Sequence, residues 1–157
     1  MKNDIVCLRM ALRLANESKK KGNLPFGCVL ADQHGNLLLK GENTIDSDKD
    51  CLAHAEINLI REAGKIYDFP YLNNCTIYTS VEPCPMCTSA IYWSGIGRLV
   101  YALGKTLYYD IAGRENPNRL FEMPVRELLQ KGGRYVDVAG PLLQVEAYDE
   151  YLGMLGF

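Results

Sequence analysis

Histidine is scarce in this chain. His34 and His54 are the only two, against six cysteines in 157 residues. A second Cys-x-x-Cys pair is also missing, although a structural zinc site, closed by four Cys and His ligands, commonly draws on one. Lysine and arginine stop at Arg134, and the residues beyond it carry Asp137, Glu146, Asp149 and Glu150. A terminal helix that grips RNA needs cations, and the net charge is only -2, so nucleic acid is not an expected partner. No stretch approaches the roughly 18 consecutive apolar residues of a membrane span, so no membrane partner is expected. Arg9 and Arg13 interrupt the apolar residues after Met1-Lys2-Asn3-Asp4 before a secretory core could form. The expectation is a cytoplasmic protein with reduced thiols, its cysteines acting as metal ligands, catalysts or small core residues. Repeats, low-complexity tracts and linker-like runs are absent too, which points to one domain over residues 1–157.

What is present suits a packed core: 48% of residues are hydrophobic and 23% charged. Ile5, Leu8, Leu12 and Ala15 recur at helical spacing, predicting a helix over residues 4–20 that stops at Gly22-Asn23. Short apolar runs at 26–30 and 37–39 flank Asp32-Gln33-His34-Gly35-Asn36, the pattern of a β-hairpin. Residues 44–50 read as loop, and 53–62 as a helix closed by Gly64. Strands are expected at 75–79, 98–103 and 135–138, with helices at 86–94, 125–131 and after Pro141. Gly104, Gly113 and Pro117 interrupt any long element between 104 and 123. Strands alternating with helices imply an α/β fold, helices layered on a mixed sheet.

Two stretches carry chemistry: His54-Ala55-Glu56 and Pro83-Cys84-Pro85-Met86-Cys87. Three nitrogen and sulfur ligands with one open position make a catalytic zinc site. Cys84 and Cys87 sit three apart at an expected helix start, where the helix dipole favours thiolate over thiol. His54 opens another helix and supplies a third ligand. Glu56, two residues on, stands beside the open position, placed to move protons. A lone Cys-x-x-Cys also suits a structural half-site or a redox pair, although neither requires His54 or Glu56.

The ordered pair His-x-Glu and Pro-Cys-x-x-Cys resembles the zinc-dependent cytidine deaminase superfamily, in its histidine-containing branch. The resemblance runs from Pro25-Phe26-Gly27 to the strand near Tyr101. Within that branch, residues 78–87 followed by Ala90-Ile91-Tyr92-Trp93 are similar to bacterial guanine deaminases. It implies a three-layer α/β/α fold around a mixed five-stranded sheet, one Zn(2+) per subunit and a homodimer. The implied substrate is a small heterocyclic base, guanine deaminated to xanthine plus ammonia, with cytosine or an aminotriazine as alternatives. A tRNA adenosine-to-inosine deaminase uses the same zinc chemistry, and a binding module with a closed zinc site and an inert Glu56 is a third reading.

The resemblance also supplies candidate substrate contacts. These are the Asn43 amide, the Phe26 and Trp93 rings, the Ala55 amide, the Glu82 carbonyl and the Glu146 carboxylate. Residues 104–120 are expected to form part of the pocket. The apolar segment 151–157 suits docking against a partner subunit or covering a pocket, and equally packing on its own domain.

Overall fold

The computed structural model describes residues 2–157. Its centre is one five-stranded sheet in the order β2-β1-β3-β4-β5. The strands are β1 (Gly27–Ala31), β2 (Leu37–Glu42), β3 (Thr76–Val81), β4 (Arg98–Leu103) and β5 (Asp137–Ala139). β1 pairs antiparallel with both β2 and β3, whereas β3, β4 and β5 run parallel. The sheet is mixed because a hairpin joins β1 to β2, while helical crossovers join the others.

β1 and β3 bury almost every residue, since both faces of the sheet are covered. Side chains alternate between two cores. Val29, Ala31, Val100 and Ala102 face α1 (Lys2–Lys20), α6 (Lys105–Ala112) and α8 (Gln144–Met154). Cys28, Leu30, Leu99 and Tyr101 face α3 (Ala55–Ile66), α5 (Pro85–Ser94) and α7 (Val125–Leu129). The result is a three-layer α/β/α sandwich. Phe26 sits where both cores meet at the end of β1. α1 lies so close to the sheet that a Cβ on Gly27 would stand 2.4 Å from the Ala11 carbonyl oxygen.

Charge fixes the register of α1 against the parallel strands. Asp4 is buried and accepts both Nη groups of Arg98, at 2.8 and 3.0 Å, and the Tyr78 hydroxyl at 2.7 Å. Arg98 also meets Asp137 at 3.2 Å, linking β4 to β5.

Some expected boundaries differ. Residues 44–50 contain a single helical turn, α2 (Ile45–Asp48), closed by Lys49 in the left-handed region. α3 runs through Gly64 instead of ending there, because Ala63 is buried and its carbonyl still accepts Tyr67 N–H. A short α4 (Phe69–Leu72) follows, capped by the Asp68 carboxylate. α6 occupies the stretch between two of the expected interruptions, and Gly104 and Gly113 are its two caps. Among the described residues no helix is long and apolar enough to cross a membrane.

Candidate metal centre and active site

Two helix starts converge at one end of the sheet. β3 leads through Glu82-Pro83 to Cys84, the N-cap of α5. Pro85 fits the first turn of that helix because its missing N–H has no intrahelical acceptor to lose. His54 is the N-cap of α3. The segment before it is held by Thr44 N–H on the Ala53 carbonyl at 3.0 Å. Asn58 adds to this by donating to Glu42 O at 2.9 Å and Thr44 Oγ1 at 2.8 Å. Gly41 lets α3 approach β2, since a Cβ there would lie 2.5 Å from Ala55 O and 2.8 Å from Cys28 Sγ.

His54 Nδ1 lies 3.7 Å from Cys84 Sγ and 3.5 Å from Cys87 Sγ. The three ligand atoms are all within 4.8 Å of one another. Ligand atoms around a tetrahedral zinc lie about 3.5–3.8 Å apart, given bond lengths of about 2.0–2.3 Å. One imidazole and two thiols at this spacing therefore fit a zinc ion with a fourth position open.

Proton placement agrees. The Cys84 thiol is pulled down to about 3, first by the hydrogen bond from Cys87 and then by His54, against the effect of burial. Cys87 is pushed up because its proton serves Cys84 and because it is buried. A divalent cation displaces that shared proton and takes both sulfurs as thiolates. His54 is raised, chiefly by Cys84.

Glu56 is only 7% exposed and reaches the Cys87 thiol. Burial, with the neighbouring Cys84 charge, holds its carboxyl above the ordinary range. A carboxyl raised in this way holds a proton more readily than a free one, which suits a group that accepts and returns protons.

The other sequence candidates separate into two groups. Asn43 is buried; its Oδ1 accepts Ile45 N–H at 3.1 Å, while Nδ2 is buried with no partner. Its own N–H donates to the Phe26 carbonyl at 3.1 Å, placing it beside Phe26. Ala55 is the first residue of α3, where N–H groups lack intrahelical acceptors. The Glu82 side chain is structural: its carboxylate accepts Lys105 N–H at 3.1 Å and Val125 N–H at 3.0 Å, pinning the starts of α6 and α7.

Trp93 and Glu146 stand apart from this group. Trp93 is 78% exposed on α5, edge-on to Tyr92. Glu146 pairs with Arg9 at 2.9 Å on the surface between α8 and α1. Both were expected from the resemblance, which carries residue type but not the direction a helix face takes. The stretch 104–120, expected to contribute to the pocket without any single residue being named, supplies Lys105 and Tyr108 against Phe26, with Tyr109 packed on Tyr108.

The fold and the ligand cluster define a class: an α/β/α protein with an open His-Cys-Cys metal centre and a buried glutamate beside it. The chain belongs to the cytidine and deoxycytidylate deaminase family, whose zinc-binding region matches residues 1–103. It is a zinc-binding deaminase of the cytidine deaminase superfamily, and His54, Cys84 and Cys87 are positioned to bind the metal. A probable cytosine deaminase of Schizosaccharomyces pombe is 30% identical over 153 residues, 96% of this chain and 91% of that protein. Guanine deaminase of Bacillus subtilis is 40% identical over 100 residues, 63% of this chain and 64% of that one. A tRNA-specific adenosine deaminase of Aquifex aeolicus is 35% identical over 95 residues, 60% of this chain and 62% of that protein. The solved guanine deaminase of Nitrosomonas europaea shares the fold, with a TM-score of 0.78 at 23% identity, over 96% of this chain and 84% of that one.

Proposed function

We propose that this protein is a zinc-dependent hydrolase that deaminates a free nucleobase, converting guanine and water to xanthine and ammonia. One observation carries the reading: the buried, unpartnered Asn43 Nδ2 beside Phe26 and the His54 helix start. Because Ile45 N–H occupies Oδ1, the amide offers a donor to an acceptor on the edge of a heterocycle. An unpaired buried donor is costly, and a bound base relieves it.

His54, Cys84 and Cys87 would hold zinc, which would supply the Lewis acidity that makes water a nucleophile near neutral pH. Glu56 takes a proton from that water and delivers it to the ring nitrogen beside the amino-bearing carbon. The water oxygen bonds to that carbon, which becomes tetrahedral, and Glu56 takes the second proton from this oxygen and passes it to the departing amine. The C–N bond breaks, ammonia leaves and a carbonyl remains. Glu56 ends as it began.

An acidic α8 argues against a tRNA substrate, since it carries Glu146, Asp149 and Glu150 and no cation. Cytosine is the second reading, favoured by the S. pombe relative that matches nearly the whole chain. We read the assembly as a homodimer with one zinc per subunit, supported by Trp93 and Phe121 left 78% and 68% exposed. A reducing, cytoplasmic setting suits two thiolate ligands and cysteines that form no disulfide. The test is ammonia release from guanine, cytosine, adenine, their nucleosides and tRNA. Guanine as the preferred substrate supports the reading; turnover of a nucleoside or tRNA with no free base overturns it.

A further inference from the structure

Lys105 opens α6, directly after β4, and its backbone N–H is fixed by the Glu82 carboxylate. Its ammonium lies 5.2 Å from the centroid of Phe26, 5.5 Å from Tyr108 and 5.4 Å from Tyr109. Phe26 and Tyr108 are themselves in contact at 5.1 Å, so the three rings form a cage around one cation. Among the described residues no carboxylate pairs with Lys105. Rings stabilise an ammonium without using its hydrogen-bonding capacity, so its N–H groups stay available to a ligand. The cage stands beside the ligand cluster: the Phe26 main-chain carbonyl accepts the Asn43 N–H, and Glu82, whose carboxylate holds the Lys105 N–H, lies two residues before Cys84.

We propose that Lys105 is a specificity residue that donates to the exocyclic oxygen of an oxo-substituted amino-heterocycle. This rests on the free-base reading above and deepens it. Asn43 and Lys105 then offer two donors to one ring, one neutral and one charged. Amino-bases without an oxygen offer the ammonium no acceptor and are disfavoured. The aromatic cage holds the long side chain in place, so little flexibility is lost on binding.

Binding and turnover separate this proposal from the function reading. Hypoxanthine carries the oxygen and purine lacks it, and neither has an amine to lose. Wild-type, Lys105→Met and Lys105→Arg holoenzymes are compared by calorimetry for these two ligands and by ammonia release for guanine. Loss of a charged hydrogen bond predicts a tenfold or greater weakening of hypoxanthine for Lys105→Met, with purine unchanged within twofold. The KM for guanine should rise by a similar factor, and Lys105→Arg should recover most of the loss. Equal weakening of both ligands, or none, overturns the lysine assignment while guanine turnover still stands. If the wild type deaminates cytosine but not guanine, the guanine reading fails. The lysine is then judged by the same criterion on pyrimidin-2-one against pyrimidine. Zinc content and far-ultraviolet circular dichroism check that each variant is folded.

Discussion

Asn43 shows how one side chain divides its labour. Its oxygen builds the turn into α2 through Ile45 N–H, and its nitrogen is left for a ligand. Asn43→Asp keeps the turn acceptor but replaces the donor with a carboxylate oxygen. This variant should fold, hold zinc and lose about 100-fold in kcat/KM for the base, since a donor becomes a repulsive acceptor. Melting curves together with kinetics check both halves; full activity would remove Asn43 from the site. At this scale the ligands were legible in the sequence because His54 and Cys84 are both N-caps, and helix starts can be read locally. The aromatic cage was not legible. It is assembled from Phe26 and α6, which lie far apart in the chain, and sequence spacing carries nothing about that contact.

Single elements set the positions of these side chains. The start of α3 rests on Gly41, so Gly41→Ala should push Ala55 and with it His54 away from the sulfurs. The expected result is less than one zinc per chain and a loss of about 1–3 kcal/mol, measured by metal analysis and denaturant unfolding. Gly64→Ala is the control in the same helix, where nothing lies within 4 Å of an added Cβ. It should gain about 0.5–1 kcal/mol and keep its zinc. The same comparison explains why the expected end of α3 was early. Glycine weakens a helix only modestly, and the buried Leu59 and Ala63 face outweighs it. Gly104 and Gly113 looked like interruptions but serve as caps, because a glycine at a helix boundary and one inside a helix look alike without the packing around them.

α1 has its own signature in acid. Arg98 holds the Asp4 carboxyl below its ordinary value of 3.8, helped by the Tyr78 hydroxyl and opposed by burial. A group depressed in the folded state contributes stability that is fully present above the unfolded pKa and lost as pH falls through the folded one. Asp4→Asn should therefore cost about 2 kcal/mol at pH 7, and its gap from wild type should narrow below about pH 3.8. Urea unfolding across that range tests the sign. A gap that widens in acid would contradict it.

Across the whole molecule, the C-terminal helix reaches the site through one buried residue. The Tyr151 hydroxyl donates to the Pro25 carbonyl at 2.7 Å and meets Ser80 Oγ at 2.9 Å; Ser80 in turn accepts Gly27 N–H at 3.1 Å. These bonds hold the segment that carries Phe26. Tyr151→Phe should lower stability by about 1–2 kcal/mol and raise KM a few-fold while zinc content stays at one per chain. The layered α/β order was readable because strands and helices alternate along the sequence. The strand order was not, since it depends on crossovers that local patterns do not encode.

All three scales meet at Glu56, which the fold buries, α3 positions and the metal ligands surround. The most direct measurement is ammonia release from guanine by wild type and Glu56→Gln at matched, full zinc occupancy. The proton-transfer role predicts a loss of at least about 100-fold in kcat for the variant with its zinc retained. A fully zinc-loaded Glu56→Gln enzyme working within a few-fold of wild type would contradict it.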